Sequence, residues 1–165
     1  MIFKFLSKNF YISFSIVALI YFLDRLTKIY IIQLDKNNLG SDIFNSAYLN
    51  IVLIWNKGIA FGLFSLNELH LYNILSLIIS IIVVILVVMA LKSHGFKRYS
   101  LLMIVGGALG NLHDRIFFNA VPDFIDFHIG NLHWFIFNIA DIFITLGVVF
   151  MIILELFKNK TIKQI

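Results

Sequence analysis

The sequence predicts a mainly α-helical integral membrane protein with four transmembrane helices, a small extended element and a short surface helix. Three observations predict it. Residues of the AVILMFWYC set make up 61% of the 165-residue chain, against roughly 45–50% in an ordinary soluble domain even when Gly is counted. Charged residues are 13%, about half the usual share, and mean hydropathy is +0.95. Water does not solvate a surface this apolar. The third observation is length: a helix needs about 20 apolar residues to cross a bilayer core, and four runs qualify.

The first run covers 10–32, interrupted late by Asp24, Arg25 and Lys28. Lysines precede it as in a secretory leader, but no A-x-A-like cleavage pattern follows, and the run is long enough to stay as an anchor. The second run, 71–91, carries no charge. The third, 99–118, ends near His113, Asp114 and Arg115. The fourth, 134–157, has Asp141 near its start, with Trp134 as an interfacial anchor. Residues 1–165 read as a single polytopic domain. Between the first two runs lies an outer loop, 33–70. In it 47–55 reads as a strand, Asn56-Lys57-Gly58 as a turn, and Phe61, Leu63, Phe64 and Leu66 as the apolar face of the surface helix.

Four spans place both termini on one side. Lys4, Lys8, Lys92, Lys97, Arg98, Lys158, Lys160 and Lys163 fall there, most of the 13 basic residues, so that side is expected to be cytoplasmic. The net charge of +4 is then a membrane-topology bias rather than a nucleic-acid footprint.

Ionisable residues within spans are costly and mark function. Here the intramembrane acids fall in one layer beneath the outer surface, which suits chemistry at that interface better than a relay across the membrane. The chain has no Cys, which excludes thiolate catalysis and Cys-ligated metals. It has no H-E-x-x-H helix, no G-x-S-x-G elbow and no phosphate-binding Gly-Lys-Ser/Thr loop. His128 and His133, with Asp123 and Asp126, match no metal-ligand spacing, so neither a metal nor any other cofactor is expected.

Paired carboxylates remain. Two held close together in a dry site cannot both ionise, so one serves as general base and the other as general acid for peptide hydrolysis. The available acids are Asp24, Asp114, Asp123, Asp126 and Asp141. Asp24, one turn before Lys28, and Asp114, beside Arg115, read better as charge-compensated helix ends. Asp123 and Asp141 have no adjacent cation and flank the connection between the last two runs, which makes them the leading pair. A four-helix carrier or ion-coupled channel, or a structural membrane subunit, is the alternative reading.

Four blocks resemble the lipoprotein signal peptidases, the signal peptidase II family of bacterial membrane aspartyl proteases. They are Asp24-Arg25-Leu26-Thr27-Lys28, similar to D-Q-x-S/T-K with Arg25 in place of Gln; Asn56-Lys57-Gly58-Ile59-Ala60-Phe61-Gly62; Gly106 to Arg115, reading GGALGNLHDR, continued by Val121-Pro122-Asp123-Phe124; and Phe137-Asn138-Ile139-Ala140-Asp141. The resemblance implies a periplasmic β-cradle and surface helix built from the first outer loop. It implies Asp123 and Asp141 as the catalytic pair. Asn56, Gly58, Asn111, Asp114, Arg115 and Asn138 would line or brace the site, and Asp24 with Lys28 would form a bracing pair at its mouth.

The implied reaction is cleavage of a prolipoprotein before its diacylglyceryl-modified cysteine, at the periplasmic face of the bacterial inner membrane. The implied partners are such prolipoproteins and membrane lipids, with no nucleic acid, and the chain is expected to act as a monomer. Pro122, just before Asp123, is a departure expected to rigidify the approach to that residue.

Overall fold

The computed structural model describes residues 8–38, 42–58 and 69–162. Four long helices carry the chain: α1 (Lys8–Asn37), α2 (Leu69–Lys92), α3 (Gly95–Phe118) and α4 (Ile139–Ile162). Strands β1 (Phe44–Asn45) and β2 (Leu49–Asn56) lie between α1 and α2, and β3 (Val121–Ile129) and β4 (Leu132–Phe137) lie between α3 and α4. The strands form one antiparallel sheet in the order β1-β2-β3-β4. The surface helix expected around Phe61–Leu66 falls outside the described residues.

Among the described residues, three helices are long and apolar enough to cross a membrane: Tyr72–Lys92, Gly95–Phe118 and Ile139–Phe157. Their outward surfaces carry exposed Ile, Leu, Val and Phe, such as Leu77, Val84, Ile116, Ile152 and Phe157. The interior is inverted relative to a soluble bundle. Among the described residues, as many polar or charged side chains are buried as apolar ones. Apolar packing is concentrated at the end of the bundle where α2 meets α3, around Ala90, Leu101 and Leu102.

The central helix is α3, which packs against α1, α2 and α4. Its small residues make this possible. A Cβ at Gly106 would lie 2.9 Å from Ile20 Cβ on α1, and one at Gly110 would lie 2.5 Å from the Asp24 carboxylate. At Gly107 it would run into the Ala140 carbonyl on α4. Gly147 on α4 returns the same close approach toward Ser100 and Ile104. The run of glycines in the third motif is therefore a packing face for two helices at once, in the manner of small-residue interfaces in membranes.

The strand expected at 47–55 corresponds to β2. Two other expectations are corrected. Half of the sheet comes from the α3–α4 connection, not from the first outer loop alone. The fourth run does not begin as helix at Trp134: Trp134 lies in β4, and α4 starts at Ile139. The aromatic and β-branched residues of 121–137 form a hairpin instead. Gly130, at φ 58°, opens its two-residue loop between the paired Ile129 and Leu132. Pro122 pairs with Trp55 in a stretch of β3 that, among the described residues, pairs with β2 and not with β4, a sheet edge of the kind where proline is tolerated.

Gly107→Ala should destabilise the bundle by about 1–3 kcal/mol, the usual cost of overpacking, because its methyl meets backbone rather than a movable side chain. Thermal unfolding in detergent should show a lower midpoint. An unchanged midpoint would mean that α3 and α4 do not pack this closely.

Candidate active site

Two buried polar clusters share residues of α3. The first is ionic. Lys28, fully buried on α1, donates to Asp24 Oδ2 at 2.9 Å, Asn111 Oδ1 at 2.8 Å and Asp114 Oδ2 at 2.7 Å. An ammonium has three N–H groups, and each is used. Arg25 adds a 2.6 Å ion pair to Asp114 and a 3.3 Å contact to Asp24. Two acids thus meet two cations, which is what a water-poor interior requires. The remaining Asp24 oxygen accepts the backbone N–H of Ala140 at 3.1 Å, tying α1 to the first turn of α4.

The expected Asp24–Lys28 pair is present. The expected partner of Asp114 is not: its cations are Lys28 and Arg25, not the adjacent Arg115. Neighbours in helix sequence point about 100° apart, so Arg115 turns elsewhere. It donates to the carbonyls of Asn111 at 3.2 Å and Gly58 at 3.1 Å and so fastens the end of β2 to α3.

The second cluster holds Asp123 and Asp141. Asp123 stands on β3. Its two oxygens accept from Asn56 Nδ2 at 2.9 Å and Asn138 Nδ2 at 2.6 Å. Asp141 stands in the first turn of α4 and accepts from Asn111 Nδ2 at 2.8 Å and from the backbone N–H of Asn138 at 3.2 Å. The Asp141 N–H returns a bond to Asn138 Oδ1 at 3.1 Å. This reciprocal pair is a capping box, with Asn138 as the cap and Asp141 three residues on. Helix initiation and site geometry are thus one local event in the Phe137–Asp141 motif.

Every amide here is held from both ends. Asn111 accepts from Lys28 and donates to Asp141. Asn138 accepts from the Asp141 N–H and donates to Asp123 and, at 3.2 Å, to Asn111 Oδ1. Asn56 accepts from the Gly58 N–H at 2.8 Å while donating to Asp123. Both carboxyls line a cavity of about 210 Å³ with Asn56, Asn111, Arg115 and Val121. A second, largely apolar cavity of about 260 Å³ lies against Asp141 and Thr145, walled by Trp134, Phe137, Ile142 and Leu146. Burial pushes the Asp123 carboxyl up to about 6, and the neighbouring Asp141 adds to the effect against the opposing hydrogen bonds from Asn56 and Asn138. Two adjoining carboxyls with fixed amide donors can share one proton and present one acid and one base to a substrate.

All ten residues singled out in the sequence fall in these two connected clusters. Arg25 was read only as a departure from the motif. The available signal was its charge, since an extra cation on a buried helix face requires an acid opposite.

A multi-pass helical membrane protein with a polar site under one end of the bundle is the class that fold and site define. A family model described as signal peptidase (SPase) II matches residues 16–157, and the chain belongs to that family of peptidases. The lipoprotein signal peptidase of Pelagibacter ubique (strain HTCC1062) is 48% identical over 152 residues, covering 92% of each chain. That of Anaplasma phagocytophilum (strain HZ) is 40% identical over 151 residues, covering 90% of this chain and 94% of its own. A solved bacterial membrane enzyme superposes with a TM-score of 0.73 at 30% identity, covering 90% of both chains.

Asp114→Asn leaves Arg25 and Lys28 with one acid between them. Breaking a buried pair costs about 3–5 kcal/mol, less where water reaches it. The expected result is reduced folded yield with residual specific activity in the folded fraction, as for Asp24→Asn. Full yield with no turnover at Asp114 would give that residue a direct part in the chemistry.

Proposed function

We propose that this chain is an aspartic endopeptidase that removes signal peptides from prolipoproteins, cutting before the diacylglyceryl-modified cysteine, with Asp123 and Asp141 as its catalytic residues. The observation that carries the proposal is that these two carboxyls face one cavity and that a single residue, Asn138, donates to both, through its side-chain amide to Asp123 and through its backbone N–H to Asp141. In the proposed cycle the ionised carboxylate takes a proton from water, which attacks the scissile carbonyl. The protonated carboxyl donates to the carbonyl oxygen. The tetrahedral intermediate collapses as a proton passes to the leaving nitrogen, and the shared proton is restored. Asn56, Asn111 and Asn138 hold the carboxyls in place, Arg115 with Gly58 braces the β2 end, and Asp24 with Lys28 braces α1 against α3.

The proposal extends to topology, with 1–165 acting as one polytopic domain. Helix α1 is read as the fourth span. Its 30 residues reach roughly 45 Å at 1.5 Å per residue. Its Asp24, Arg25 and Lys28 are buried, whereas Phe14, Leu19, Phe22, Leu26 and Ile29 are exposed, so its outer face matches lipid. The sheet and site then lie at the periplasmic face of the inner membrane, with both termini cytoplasmic and the enzyme working as a monomer. The apolar cavity beside Asp141 gives a lipid-anchored substrate a place while its peptide enters the polar one. Acyl chains that start in the bilayer contribute placement more than affinity, since burial is favourable only for groups leaving water. A carrier would move its solute without bond cleavage, and the family match to peptidases disfavours it.

Asp123→Asn and Asp141→Asn should each fold, because neither acid has a dedicated cationic partner, and should lose turnover by several orders of magnitude, since acid and base act as a unit. A folded variant keeping more than about a tenth of wild-type kcat, a loss of only ~1.4 kcal/mol, removes that residue from the pair. In the wild type, kcat/KM should fall in acid as the pair takes a second proton. It should fall again in alkali as the shared proton leaves. Burial raises the Asp123 carboxyl to about 6, and a bilayer excludes further water, so the alkaline limb should lie at that pH or above it. A profile with no alkaline limb would contradict the shared proton. Equal cleavage of lipidated and unlipidated precursors in bilayers would contradict the placement of the substrate lipid.

A further inference from the structure

Strand β3 carries a second group of chemically capable side chains, downstream of Asp123. Asp126, His128 and His133 each offer a ligand atom, and these atoms lie within 4.8 Å of one another. Sequence spacing hides the group because the residues come from two antiparallel strands. Asp126 and His128 are two apart on β3 and share a face of the strand. His133 on β4 stands directly opposite His128. A register shift lies between Asp126 and His128 in this pairing, and the His133 side chain reaches Asp126 across it. The imidazoles of His128 and His133 stack with centroids 5.0 Å apart, and His133 Nδ1 lies 2.9 Å from Asp126 Oδ2.

We infer that this cluster is a binding site for a divalent first-row cation of the zinc type, a clamp across the β3–β4 hairpin. Two imidazoles and a carboxylate are a donor set suited to such ions. Three further features fit. The acid is buried and accepts a further hydrogen bond from Asn50 Nδ2 at 3.3 Å, as metal-bound carboxylates do from supporting residues. The side chain of His133 is 52% exposed, which leaves an entry path and room for water as a further ligand. His128 Nδ1 is buried without a hydrogen-bond partner. An Asp126–His133 ion pair by itself accounts for two members of the group and leaves that nitrogen unspent.

The site is separate from the proposed acid–base pair, and the inference stands whether or not Asp123 and Asp141 carry chemistry. Its effect would be structural, pinning β4 to the strand that presents Asp123. Binding displaces protons from the ligands, so it strengthens as pH rises.

The test uses tag-free, full-length protein in lipid nanodiscs, titrated with Co²⁺ and followed by visible absorption, then competed with Zn²⁺. The expected result is saturable binding of one equivalent, a low-coordinate cobalt spectrum, displacement by Zn²⁺, and a Zn²⁺-dependent rise in the thermal midpoint. His133→Gln, at an exposed position, should fold normally, lose the midpoint rise and weaken binding well beyond tenfold, since even supporting residues around a metal are worth about 10–100-fold. His128→Gln should do the same, while His94→Gln, in the α2–α3 connection, should bind as the wild type does. Absence of saturable binding to the wild-type protein, or binding undiminished in folded His133→Gln, would overturn the inference.

Discussion

The structure depends on one buried ammonium. Lys28 has no water to solvate it, so each of its three N–H groups must find a protein acceptor. It takes them from Asp24 on its own helix and from Asn111 and Asp114 on α3. That requirement fixes the rotation of α1 against α3. It also fixes which end of the Asn111 amide is left to meet Asp141. From there the constraint passes through Asn138 to Asp123, so that charge neutralisation in the bundle and orientation of the site belong to one network. Arg25 fits the same logic. With it, the two acids and two cations balance, and the pair Asp24 and Asp114 is held from two sides.

The bilayer explains why so much polarity lies inside. Between lipid-facing helices, apolar side chains gain little by burial, and association rests on close packing and interhelical hydrogen bonds. Gly106, Gly107 and Gly110 supply the first, since a Cβ at each would collide with α1 or α4. The Lys28 network supplies the second. The sheet above it does a different task. It carries Asn56 and Asp123 on neighbouring strands to meet Asn138 and Asp141 at the start of α4. A site assembled from a sheet edge and a helix cap keeps each group on a regular element.

Much of this was legible in the sequence, and the failures have physical causes. The motifs located the residues of the two clusters, with the exception of the part played by Arg25, because ionisable and amide side chains stand out against an apolar background. The Asp24–Lys28 pair followed from helical spacing alone. The partner of Asp114 did not, because the cation nearest in sequence lies on a different face of the helix from the acid. The end of β4 reads as the start of the last span because Trp134, Phe135, Ile136 and Phe137 continue its apolar run. In a membrane protein the hydrophobic signal that separates strand from helix is saturated. The boundary is set by the cap at Asn138, a hydrogen-bond feature rather than a hydropathy feature. The His128–His133 pairing was hidden for a related reason, since it depends on register and on a bulge.

In the proposed mechanism the buried amides hold Asp123 and Asp141 so that the pair keeps one proton at neutral pH. Infrared spectroscopy of the protein in bilayers reads this directly through the C=O stretch of a protonated carboxyl. One such band is expected from this pair, shifted in heavy water and abolished by Asp123→Asn and by Asp141→Asn, each measured on folded protein. A spectrum in which neither substitution removes a protonated-carboxyl band would contradict it.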